Sequence, residues 1–153
     1  MTGMFIRFPC RWGYLAVMID VYSKKVLSWV FSDKLGSNLT MLTIVKALAS
    51  RKLKRELLFH TDRGREYCAD RVRHLLAEHG VEQSMNRPGE CTDNTEVELF
   101  FKSLKGELIK DVPIAKRHLR EKLRKYIQYF YNRTRLHSSI GYMSPIAFEK
   151  QCT

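Results

Sequence analysis

The sequence predicts an α/β fold. A mixed five-stranded sheet, three antiparallel strands and then parallel ones, is flanked by helices and followed by a helical C-terminal tail. Three observations predict it. Short apolar runs separated by turn residues fill the first part of the chain, up to Phe31. Helical and strand-like periods then alternate as far as Met85, and beyond Asn94 the pattern is helical throughout.

Met4 to Arg7, Tyr14 to Ile19 and Lys25 to Phe31 read as three strands of an antiparallel meander. Ser37 is expected to cap a helix from Asn38 to about Ser50, with Leu39, Leu42, Val45 and Leu48 or Ala49 facing inward. Leu57 to Thr61 is a fourth strand. A helix over Asp70 to His79 places Val72, Leu75 and Leu76 inward and stops at Gly80. Val81 to Met85 is a fifth strand. Helical crossovers after strands three and four make the later strands parallel to their neighbours. Asn86 to Asn94 holds Pro88, Gly89, Asp93 and Asn94 and reads as a mobile loop. It leads into a helix whose buried stripe is Val97, Phe100, Phe101, Leu104 and Leu108. Ala115 to Tyr131 is a further amphipathic helix, and Ser144-Pro145 opens a short terminal one. Residues 1–150 are expected to form a single domain.

Composition narrows the function. The chain has 153 residues, 44% of them hydrophobic, enough for a core. No apolar run approaches the ~20 residues of a membrane span, so no membrane partner is expected. The first residues lack the charged region and cleavage site of a secretory signal. Cys10, Cys68, Cys91 and Cys152 are scattered, which argues against a disulfide framework or a structural zinc site and for reduced cytosolic thiols. The formal charge is +11. Between Lys102 and His137 stand eleven Lys or Arg against three acids, Glu107, Asp111 and Glu121. Such a surface attracts polyanions; the bland alternative is a solvated helix face.

Two carboxylates carry the chemistry. Asp62 ends the run Leu57-Leu-Phe-His-Thr61 and precedes Arg63-Gly64, so it reads as an acid at a strand end, with Gly64 allowing a sharp turn and room for phosphate. Glu98 lies in the first turn of the helix that follows the loop, with 35 residues between the two acids. Acids on a strand end and a helix can converge on divalent metal, which stabilises attacking and leaving oxygens in phosphoryl transfer. Glu98 has a second reading, as the third helical residue of a capping box with Thr95 as cap. Glu98, Lys102 and Lys105 share a flank at i, i+4 and i+7, which suits a metal site continuing into a phosphate track, or an ordinary exposed ion pair.

Five segments in order resemble one family. They are Tyr14-Leu-Ala-Val-Met-Ile-Asp20 through Trp29, His60-Thr-Asp-Arg-Gly64, Ser84-Met-Asn-Arg-Pro-Gly-Glu-Cys-Thr-Asp-Asn94, Glu98-Leu-Phe-Phe-Lys-Ser-Leu-Lys-Gly-Glu107, and Tyr129-Phe-Tyr-Asn-Arg-Thr-Arg-Leu-His137 through Pro145. Together they are similar to the integrase core shared by retroviral integrases and DDE transposases, with the OrfB-type transposases of insertion sequences the nearer match. The resemblance implies a ribonuclease H-like fold and Mg²⁺ (or Mn²⁺) as cofactor. It implies Asp62 and Glu98 as metal-binding catalytic acids, and DNA, both element ends and target, as partner. Lys102 and Lys105 would hold the DNA backbone, and Asn86 and Arg87 would contact a DNA end or simply be loop polarity.

The family uses three acids, and alignment puts the first at about position 2, where this sequence has Thr2. No acid precedes Asp20, so the chain is expected to start just past its first ligand. Asp20 is expected to be structural, accepting hydrogen bonds in the turn at Tyr22-Ser23. Two carboxylates offset only half the charge of two divalent ions, and a neutral Thr hydroxyl replaces a carboxylate poorly for hard cations. The leading expectation is therefore a transposase catalytic core acting in the cytoplasm on nucleoid DNA, impaired as it stands, as a homo-oligomer or in mixed assembly with full-length transposase. A DNA-binding module that modulates such a transposase is the alternative, and a ribonuclease H-type nuclease a weaker third. His137, Arg133 and Arg135 are expected to pack against the core or touch phosphate, with Arg133 and His137 on one side of a helix if that segment is helical.

Overall fold

A computed structural model of the chain describes residues 2–7, 13–50, 57–61, 64–85, 95–109 and 116–152. The strands are β1 (Thr2–Arg7), β2 (Tyr14–Ile19), β3 (Val26–Ser32), β4 (Leu57–Thr61) and β5 (Val81–Met85). They form one sheet in the order β3-β2-β1-β4-β5. β1 and β3 run antiparallel to β2, while β4 is parallel to β1 and β5 parallel to β4. The mixed sheet predicted from the sequence is present, with four of the five strands at the predicted bounds or within a residue of them and β1 starting two residues earlier.

Helix α1 (Ser37–Ala49) connects β3 to β4. Its inner face differs from the expectation. Leu39, Thr40, Thr43, Ile44, Ala47 and Leu48 are buried, whereas Leu42 and Val45 are 47% and 43% exposed. Two threonines take the places that hydrophobicity assigned elsewhere. Thr43 can be buried because its hydroxyl donates to the Leu39 carbonyl at 2.7 Å, and its own carbonyl accepts from Ser28 Oγ at 2.7 Å. Gly36, not Ser37, occupies the cap position, and no side chain caps this end.

A one-turn helix α2 (Arg65–Cys68), not foreseen in the sequence, precedes α3 (Asp70–Glu78). α3 buries Val72 and Leu76, and Gly80 follows it at φ 63°, the left-handed conformation that ends helices cheaply at glycine. On this face Met18, Ile44, Phe59, Tyr67, Val72, Leu76 and Val81 form one core.

The opposite face carries the second core. Helix α4 (Thr95–Leu104) buries Val97, Phe100, Phe101 and Leu104 against Leu15, Val17 and Ile19 of β2. Leu108 packs against the same cluster from the wide π-type turn Lys105–Ile109. The predicted stripe is thus the observed one. Helix α5 (Lys116–Lys125) adds Leu119 and Leu123, and a second wide turn, Tyr126–Tyr131, adds Tyr126, Ile127 and Tyr131. α6 (Pro145–Gln151) begins at Ser144, whose Oγ accepts from the Ala147 N–H at 3.4 Å, the predicted cap-then-Pro start.

The C-terminal segment is pinned to the sheet. Asn132 accepts from the Val26 N–H and donates to the Val26 carbonyl, both at 3.0 Å and both buried. The register between β2 and β3 shifts between Met18 and Ile19, at the point where Val26 pairs, so a side chain supplies what the ladder omits there. Lys25 Nζ reaches Glu149 Oε2 at 2.6 Å, and Ser23 Oγ donates to Glu149 Oε1 at 3.0 Å.

Candidate nucleic-acid and cation site

Asp62, Arg63, Asn86 and Arg87 lie outside the described residues, as do the loop 86–94, Trp12, Cys10 and Cys91. What surrounds Asp62 is described. Phe59 enters the core under α1 and α3, and Thr61, fully buried, points to the same side by strand alternation. Leu58 is 49% exposed, and His60 Nδ1 meets Ser84 Oγ at 3.1 Å on the other side. That other side is the one on which α4 packs. The Thr61 hydroxyl has no hydrogen-bond partner among the described residues. Gly64 has φ −56°, a conformation open to any residue, and stands at the start of α2. The sharp glycine turn expected there is not what its backbone does.

Glu98 stands in the first turn of α4 with its side chain exposed. Lys102 and Lys105 are exposed on the same flank. Among the described residues none of the three makes a side-chain hydrogen bond or ion pair, so the ordinary Glu98–Lys102 pair is not formed. Thr95 is already helical, so it is not the cap that the capping-box reading of Glu98 requires.

β1 reads Thr-Gly-Met-Phe-Ile-Arg and carries no acid at any position. Thr2 pairs in register with Ile19 on one side and with His60 on the other, so β1 runs between the β2 turn and the end of β4. Asp20 behaves as expected. Its Oδ1 accepts from the Tyr22 N–H at 2.9 Å and its Oδ2 from Ser23 Oγ at 3.2 Å. Among the described residues no three His, Cys, Asp or Glu side chains gather as a metal cage.

Sequence reasoning missed the polar frame behind α4. Lys24, at φ 62° in the β2–β3 turn, extends Nζ to Glu96 Oε1 at 2.6 Å, the two being 12% and 28% exposed. Glu107 accepts from Tyr126 Oη at 2.7 Å and from Arg135 Nε at 3.2 Å, and Arg135 Nη2 donates to Ser103 Oγ at 3.0 Å. Burial, followed by the hydrogen bond to Glu107, pushes the Tyr126 phenol above its usual range. Arg135 is therefore committed to the protein. Arg133 lies 5.6 Å from the Tyr129 ring. The segment is not helical here: Thr134 and Arg135 N–H groups both return to the Phe130 carbonyl, and His137 forms a bridge with Met143. Arg133 and His137 thus do not share a helix side. His137 packs edge-on against Tyr131 at 4.9 Å, the packing role expected of it. Burial, and then Arg135, holds its imidazole below the ordinary range.

The chain belongs to the integrase core domain family: one family model of that description matches residues 2–91 and another residues 79–145. It is 38% identical over 151 residues to the transposase for insertion sequence element IS904 of Lactococcus lactis subsp. lactis, covering 97% of this chain and 60% of that one. It is also 38% identical over 148 residues to transposase InsF for insertion sequence IS3A of Escherichia coli, covering 96% and 51%. The chain thus spans between half and three-fifths of the length of these relatives. Among solved structures, the catalytic core domain of BIV integrase superposes with a TM-score of 0.71 at 19% identity, covering 99% of this chain and 93% of that one. The HTLV-2 integrase catalytic core domain in complex with magnesium gives 0.70 at 15%, covering 96% and 93%. These likenesses establish the ribonuclease H-like fold. No helix among the described residues is long and apolar enough to cross a membrane.

Proposed function

We propose that the chain is the catalytic-core portion of an insertion-sequence transposase, acting on element ends and target DNA in the cytoplasm, at the nucleoid. The observation that carries this reading is the placement of Glu98. It is exposed and unpaired on the helix covering the face of the sheet to which His60 turns. Asp62 follows Thr61, the last residue of β4, directly in the sequence. Asp62 and Glu98 would then share one divalent cation, Mg²⁺ or Mn²⁺, with Lys102 and Lys105 holding DNA phosphates and Asn86 and Arg87 meeting a DNA end. A cation held there would supply the Lewis acidity that phosphodiester cleavage and joining require.

The donor set fits one weakly held cation and not a pair. β1 offers no carboxylate, and Asp20 is spent on its own turn. For that reason the chain by itself is proposed to join DNA poorly. The same observation favours a second reading, a DNA-binding module that modulates full-length transposase in mixed oligomers. A strand-transfer assay with Mn²⁺ and oligonucleotides bearing the element's ends separates these readings. Salt-sensitive binding without joining supports the module. Efficient joining by this chain alone refutes the impairment.

A further inference from the structure

A shallow cleft of about 460 Å³ is bounded by Leu108, Lys122, Lys125, Tyr126, Tyr129 and Phe130. Tyr129 is 51% and Phe130 41% exposed, side by side in sequence.

Their exposure follows from local geometry. Continued as an α-helix, the stripe of Leu119, Leu123 and Tyr126 would reach Phe130 next, four residues on. The chain instead widens into a π-type turn over Tyr126–Tyr131. Tyr131 takes the inward place, 4% exposed, and Phe130 is left at the rim with its ring 5.5 Å from that of Tyr126. Such wide turns are rare, and they are frequent at functional sites.

The rim is cationic. Lys122, Arg124 and Lys125 are exposed on α5, and the Arg133 guanidinium lies 5.6 Å from the Tyr129 ring. Among the described residues the nearby acids, Glu107 and Glu121, are occupied. Glu121 pairs with Lys125 at 3.0 Å, and Glu107 is held by Tyr126 and Arg135. Exposed rings among cations suit a ligand with negative charge along its length and flat apolar faces between the charges. Unpaired nucleic acid has that chemistry, and base-on-aromatic stacking tolerates any sequence. Duplex DNA keeps its bases stacked on one another and would meet only the cations.

We propose that Tyr129 and Phe130, with Lys122, Lys125 and Arg133, form a stacking platform for single-stranded DNA, separate from the cation site at Glu98. The platform deepens the reading of the chain as a DNA-acting core and rests on it for its choice of ligand.

The test is fluorescence anisotropy of the whole chain in EDTA, with labelled oligo-deoxythymidine and with a duplex of equal length. The variant Tyr129→Ala/Phe130→Ala is expected to lose about ten-fold in affinity for the single strand while the duplex changes less than about two-fold. Phe130 touches Tyr126, so Tyr129→Ala alone serves as the second variant, expected to lose affinity for the single strand with no loss of melting temperature. An unchanged single-strand affinity in both variants, or equal losses for single strand and duplex, overturns the platform and leaves the cation-site reading standing. Aromatic-dependent single-strand binding with no duplex binding supports the platform and counts against that reading. If polyglutamate binds more tightly than the oligonucleotide and depends on the same rings, the occupant is an acidic protein segment and the proposal fails.

Discussion

Asn132→Ala should be among the most damaging polar substitutions in this chain. The amide exchanges two hydrogen bonds of 3.0 Å with the backbone of Val26, and both residues are buried, at 6% and 4% exposure. Alanine leaves the Val26 N–H and carbonyl stripped of partners at the point where the β2–β3 register shifts. A buried orphaned group costs about 1–3 kcal/mol, so the pair should cost about 2–6 kcal/mol. For a chain of this size each kcal/mol moves the midpoint by about 2–4 °C, giving a fall of roughly 4–24 °C. Asn132→Asp is the sharper control. It keeps an acceptor for the Val26 N–H but sets a carboxylate oxygen against the carbonyl, and it should fall at least as far. Calorimetry or thermal circular dichroism on the three proteins reads the effect. A midpoint for the alanine variant within about 2 °C of the parent would refute the reasoning, because the clamp would then carry no net energy.

Other consequences are measurable too. Lys102→Glu and Lys105→Glu should each weaken DNA binding whatever the sequence. Each should also lower the slope of log affinity against log salt by about one, which a salt titration of duplex binding would show. Phe100, 1% exposed and edge-on to Tyr131 at 4.9 Å, should cost about 3–5 kcal/mol when cut to alanine, read by urea denaturation. His137 binds its proton less tightly when folded than the ordinary imidazole, through burial first and then Arg135, with Lys24 acting the same way and Glu96 and Glu107 against it. A depressed folded value means its contribution is present above the unfolded value and is lost as pH falls below it. Melting followed from neutral pH down to about 5 should therefore show a decline that His137→Gln reduces. An identical decline in that variant would assign the acid sensitivity elsewhere.

Local pattern carried most of the fold and little of the polar frame. β2 and β4 were legible as mainly apolar or β-branched runs, and β5 because Gly80 ends the helix just before it. The stripe of α4 was legible because Val97, Phe100, Phe101 and Leu104 keep helical spacing. α1 was misread because hydrophobicity ranks Leu42 and Val45 above Thr40 and Thr43, whereas the backbone partners that let Thr43 be buried exist only after folding. Lys24–Glu96 and Asn132–Val26 join residues 72 and 106 positions apart, and no period encodes such pairs. The wide turn at Tyr126–Tyr131 was hidden for a related reason: Tyr-Ile-Gln-Tyr-Phe-Tyr satisfies an α-helical period as well as the wider one. At the site, the exposed flank of Glu98, Lys102 and Lys105 follows from i, i+4, i+7 spacing alone. That β1 carries no carboxylate was equally plain in sequence, since nothing from Thr2 to Arg7 is Asp or Glu.

The central claim is that Asp62 and Glu98 grip one cation together, and titration with Mn²⁺ followed by electron paramagnetic resonance tests it most directly. The account predicts a single weakly bound ion per chain, lost in Asp62→Asn and equally in Glu98→Gln, and retained in Asp20→Asn. Two bound ions, or one that survives either of the first two substitutions, would contradict it.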